Sequence, residues 1–90
     1  MRAATSNHFV VTAVWDDEPE VWVAESDDVP GLITEAESRT RLNEKLAVLV
    51  PELLELNGYS FDPHQPIELV IKYNRAEDQH EERIRLPKAS

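Results

Sequence analysis

Three histidines and two adjacent pairs of carboxylates are the residues in this chain best suited to chemistry. His8, His64 and His80 could ligate a metal or move a proton if they met one another or a carboxylate. Their spacing scatters them. His8 precedes a β-branched run, His64 lies in the loop Phe61-Asp62-Pro63-His64-Gln65-Pro66, and His80 lies in a charged tail, so each reads as a solvated loop residue. Asp16-Asp17 and Asp27-Asp28 could supply halves of a divalent-metal site. Both pairs fall in turns instead, where Asp is common because its side chain bonds the local backbone. The only glycines, Gly31 and Gly58, each end a local element, which leaves no Gly-rich loop to cradle a phosphate. Ser26 and Ser38 have carboxylate neighbours but no histidine in the same motif, so no nucleophile pattern forms. The sequence therefore predicts no catalytic residue, no metal site and no cofactor.

Positioning elements follow from periodicity. Phe9 to Trp15 and Val21 to Ala24 are β-branched and aromatic, and the polar link Asp16 to Glu20 contains Pro19, which predicts a β-hairpin. Val29-Pro30-Gly31 turns the chain into a short third strand around Leu32-Ile33-Thr34. From Leu42 the period changes: Leu42, Leu46, Leu49, Val50 and Leu53 form one stripe of a helix that must pack on the sheet. Ser38 is placed to cap it, although Arg41 stands where a full capping box has Glu or Gln. Pro51 should kink or break this helix by removing the hydrogen bond to the Ala47 carbonyl, and Asn57-Gly58 should stop it. Ile67 to Tyr73 alternates again as a fourth strand. A helix between strands three and four calls for a crossover, so strand four should run parallel to strand one in a sheet of order 3-2-1-4. The expected domain spans residues 8–75, followed by a charged tail over 76–90 in which Arg83-Ile84-Arg85-Leu86 could form a short fifth strand.

One helix covers one face of such a sheet, while apolar side chains occupy both. Burying an unpaired carboxylate costs far more than burying a hydroxyl, so the Trp22, Ala24, Ser26 set should face the helix, leaving Val21, Val23 and Glu25 outside. If Trp15 pairs with Val21 across the hairpin, Val11, Ala13 and Trp15 join the open face, making a patch larger than a monomer usually exposes. A tail folded over that patch, or a one-residue slip in register, would remove it. The candidate partner-binding residues are Trp15, Val21, Val23 and Glu25 on this face, with Asp16, Asp17, Glu18, Asp27 and Asp28 at its rim.

Ninety residues without cysteine make one small domain with no disulfide or thiolate metal site, and oligomerisation is the common remaining way to bury more surface. No apolar run approaches the ~20 residues needed to span a bilayer, and the N-terminus lacks the apolar stretch of a signal peptide, so a cytoplasmic location is expected. A net charge of −9 disfavours direct DNA or RNA binding, which depends on Lys and Arg neutralising phosphates. The acidic clusters read either as solubility features or as a docking surface for a basic protein.

The run from Trp22 to Ala36, with its Asp27-Asp28-Val29-Pro30-Gly31 corner between strands, resembles the small HicB-like antitoxins of bacteria and archaea. It is most similar to a HicB-related single-domain group that also has Pro51-Glu52-Leu53 and Leu56-Asn57-Gly58 at the helix end. The resemblance covers roughly residues 9 to 75. It implies an α+β, β-β-β-α-β partial ribonuclease-H-like fold and a protein that neutralises a small basic RNA-cleaving toxin of a type II toxin-antitoxin system. Ribonuclease-H enzymes hold two metals with an acidic cluster, but the strand that would supply the first acid, Phe9 to Trp15, contains no carboxylate. Full-length HicB-like antitoxins often continue into a DNA-binding helical module, and only a short hydrophilic tail follows Tyr73 here. The alternatives are an orphan domain of the same fold that dimerises or regulates another protein, and a small metal-dependent nuclease.

Overall fold

The computed structural model describes residues 7–58 and 66–86, so His64 and the N-terminal six residues lie outside the described residues. Strand β1 (His8–Asp16) and strand β2 (Val21–Glu25) form an antiparallel hairpin, and strand β3 (Ile33–Ala36) adds antiparallel to β2. Helix α1 (Arg39–Leu56) then crosses the sheet. Strand β4 (Ile67–Arg75) returns parallel to β1, and strand β5 (Asp78–Leu86) runs antiparallel along all of β4. The result is an α+β domain with a five-stranded mixed sheet in the order β3-β2-β1-β4-β5.

Helix α1 starts where its sequence allows. Ser38 has extended backbone, and its Oγ accepts the Arg41 N–H at 3.1 Å, satisfying one of the amides the first turn leaves free. Leu42, Leu46, Val50 and Leu54, spaced by four, are fully buried, while Leu49 and Leu53 pack at the margin. The helix is one continuous element through Pro51, so of the expected kink or break the break does not occur. The lost hydrogen bond is outweighed locally because the flanking Val50 and Leu54 are sealed into the core. At the C-terminus Gly58 takes φ +74 and donates its N–H to the Glu55 carbonyl.

The fifth strand expected as an option at residues 83–86 forms and is longer than that: β5 spans nine residues along β4, through the charged segment to Leu86. Its signal was weak because β5 is an edge strand whose inward set begins with Asp78, His80 and Glu82 and turns apolar only at Ile84 and Leu86. The hairpin register also differs. Asp16 pairs with Val21 and Trp15 with Trp22, closing a four-residue loop in which Glu20 takes φ 58. That one-residue difference turns Val11, Ala13 and Trp15 to the helix side.

The corner after β2 is a type II turn: Pro30 precedes Gly31 at φ +86, and the Leu32 N–H donates to the Val29 carbonyl at 3.1 Å. Val29 and Leu32 insert into the core beside it, and Asn57 Nδ2 donates to the Pro30 carbonyl at 3.1 Å, tying the helix end to the corner. An added Cβ at Gly31 would meet Leu53 Cδ2 at an ordinary 3.7 Å, so the cost of a side chain there lies in the backbone. Gly31→Ala should destabilise the domain by about 1–2 kcal/mol, measured by chemical denaturation with unchanged dependence on denaturant.

Candidate interaction surfaces

Register divides the residues expected to form one surface between two. On the helix side, at the end of the sheet where α1 begins, Trp15, Trp22 and Tyr73 meet edge to face, with ring centroids 5.3 Å and 4.9 Å apart in turn. Trp22 and Tyr73 are buried, whereas Trp15 is half-buried. The Arg75 guanidinium lies 4.4 Å from the Trp15 ring centroid, and Arg39 lies 5.8 Å from that of Tyr73. Asp17 Oδ1 accepts the Trp15 indole N–H at 2.6 Å, fixing the ring's exposed edge. An open groove of about 410 Å³ runs between these rings, Arg39, Arg75 and His80. Glu37 and Asp78 also border it, while Glu18 stands in the adjoining hairpin loop.

A hydrogen-bonded relay supports the groove. The Tyr73 hydroxyl donates to Asn43 Oδ1 at 2.5 Å, and Asn43 Nδ2 donates to Glu82 Oε1 at 2.7 Å, which joins β4, α1 and β5. Glu82 Oε2 also meets His80 Nε2 at 3.0 Å. Burial pushes the Tyr73 phenol well above its ordinary pKa, reinforced by the Glu82 charge and opposed by Arg39. The Asn43 hydrogen bond holds the Glu82 carboxyl below the usual range, against its partial burial and with help from His80 and Arg39.

The helix-free face carries the other part. Val10, Thr12 and Val14 of β1 lie between Val21, Val23 and Glu25 of β2 and Val70, Lys72 and Asn74 of β4. Ile33 and Glu35 of β3 and Glu81, Arg83 and Arg85 of β5 complete it. Val14 is 50% exposed and Val10 37%. Asp27 and Asp28 sit at the opposite end from the groove, and Asp28 has a structural duty. Strand β1 outruns β2 there, and Asp28 Oδ2 accepts the Val10 N–H at 2.7 Å while Ser26 Oγ donates to the Val10 carbonyl, so side chains continue the ladder. Among the described residues, no three His, Cys, Asp or Glu side chains converge as a metal-binding group, and no helix is long and apolar enough to cross a membrane.

Sequence reasoning named Trp15, Asp16, Asp17 and Glu18 as candidates but did not foresee Arg39, Tyr73, Arg75 and His80 as neighbours of Trp15. Parallel pairing of Ala13 with Tyr73 supplies the link, since it sets Arg75 on the same face and level as Trp15.

Residues 8–80 match the family model described as a domain of unknown function, DUF1902. The chain belongs to the DUF1902 family. It is similar to the hypothetical protein TTHA1013 of the extremely thermophilic bacterium Thermus thermophilus, whose crystal structure aligns with a TM-score of 0.63 at 46% identity. That alignment covers 79% of this DUF1902 chain and 94% of the thermophile's. No match was found among curated proteins.

The depressed Glu82 pKa sets the sign of a pH effect in this domain. The unfolded chain takes up the proton at higher pH than the folded one, so the Glu82 contribution is present at neutral pH and lost as pH falls through the carboxylate range. Glu82→Gln should therefore lower stability at neutral pH. Parent and variant curves, followed by denaturation at several pH values, should draw together as pH falls below the usual carboxylate range.

Proposed function

We propose that this domain is a cytoplasmic, non-enzymatic protein-binding module of the HicB-like antitoxin kind, which neutralises a small basic RNA-cleaving toxin. The observation that carries the reading is the aromatic groove: a half-exposed Trp15, pinned by Asp17 and stacked under Arg75, beside Trp22 and Tyr73. Trp, Tyr and Arg in a preorganised cluster are the residue types that dominate binding energy at protein interfaces. The carboxylates of Glu37 and Asp78, which line it, and of Glu18 in the adjoining loop suit a basic partner. The carboxylate pairs that could have suggested metal chemistry support the same reading, because Asp17 holds the Trp15 indole and Asp28 holds the β1 backbone. The resemblance of the Trp22 to Ala36 run to HicB-like antitoxins supplies the partner class.

The test recovers small basic proteins bound to this domain by pull-down from its native host, then assays the recovered protein for RNA cleavage and for binding. The domain should suppress cleavage. Trp15→Ala should weaken binding by at least about 30-fold, corresponding to about 2 kcal/mol. Replacing Glu18 and Glu37 by Gln should slow association and flatten its salt dependence, with dissociation little changed. Undiminished RNA cleavage in the presence of the domain, or parental binding by Trp15→Ala, would overturn the reading.

A further inference from the structure

The helix-free face has a charge pattern that a second copy of the same chain would complete. One cross-strand row runs Ile33, Glu25, Thr12, Lys72, Glu81, from β3 at one edge to β5 at the other. Glu25 and Lys72 are thus equidistant neighbours of Thr12 on the central strand, opposite in sign. Both are exposed, and neither makes an ion pair within the described residues. The asymmetry extends outward. Glu35 lies on the β3 side, while Arg83 and Arg85 lie on the β5 side beside Glu81 and Glu68, which pair with them at 3.3 and 3.5 Å. Down the middle, Val10 and Val14 flank Thr12 along β1.

We propose that a second copy docks face to face on this sheet, about a two-fold axis running along β1 between the two sheets. That axis lays the β2–β3 half of each copy over the β4–β5 half of the other, so Glu25 of one copy meets Lys72 of the partner subunit, twice. A two-fold axis across the strands would instead set each strand over itself and oppose like charges. Valines on β1 then meet their symmetry mates at the axis, where a self-complementary interface is most apolar. Packed sheets lie about 10 Å apart, a gap that an extended Glu and an extended Lys can bridge together. A partner of a single charge sign is a poorer occupant, because this face carries carboxylates on its β2–β3 half and Lys72, unpaired among the described residues, on the other. A domain of ninety residues also gains most from the additional burial. The aromatic groove is on the other side of the sheet, so this association and the partner reading succeed or fail separately.

The experiment is sedimentation of the full chain across micromolar concentrations, with circular dichroism to verify folding of each variant. The parent should sediment as a dimer. Glu25→Lys opposes cations at both contacts and Lys72→Glu opposes carboxylates, so each alone should weaken self-association by about tenfold or more. Mixed in equal amounts, the two variants should form a heterodimer, because one carries cations at positions 25 and 72 and the other carries carboxylates at both. The double variant Glu25→Lys/Lys72→Glu should recover self-association. A monomeric parent, single variants that associate as the parent does, or folded single variants that fail to recover on mixing would each overturn the proposal.

Discussion

Parallel pairing of β1 with β4 is the constraint on which the rest of this structure depends. Parallel neighbours cannot be joined by a hairpin, so the chain must leave the sheet and return, and α1 is the element that makes the crossing. A single crossover provides a single helix, and a single helix covers one face. The buried stripe from Leu42 to Leu54 seals Val11, Ala13, Ala24, Leu69 and Ile71 on that side. The other face has no helix over it among the described residues; Val21 and Val70 there are buried, while Val10 and Val14 are exposed.

The same pairing builds the groove. By placing Tyr73 beside Ala13 it brings the end of β4 against the Trp15–Trp22 pair, and the relay through Asn43 and Glu82 then locks α1 and β5 to that end. Inward positions at the far end of β5 are polar, since His80 and Glu82 serve the relay, whereas Ile84 and Leu86 at the near end serve the core. One strand therefore performs two tasks along its length. Polar satisfaction at a partly buried end of the sheet costs little hydrophobic burial and fixes the orientation of the helix that creates it.

Local chemistry by itself determined much of this protein. Alternation fixed β1, β2 and β4, Ser38 fixed the start of α1, Pro30-Gly31 fixed the corner, and the helix between strands three and four dictated the order 3-2-1-4. Even the orientation of β2 was legible, because Trp22 faces the helix and Glu25 the solvent, as the cost of burying a carboxylate requires. Tertiary structure decided the matters that local rules leave degenerate. Trp15 could pair with Val21 or Trp22 at equal local cost, and the chain of contacts from Trp15 to Trp22 and from Trp22 to Tyr73 accompanies the second. Pro51 is a helix breaker in isolation, yet the sealed neighbours Val50 and Leu54 carry the helix through it. Strand β5 reads as a charged tail until β4 offers it an edge, since backbone hydrogen bonds to a neighbouring strand require no hydrophobic pattern. Register and edge pairing depend on partners distant in sequence, which is why these were settled only by the folded chain.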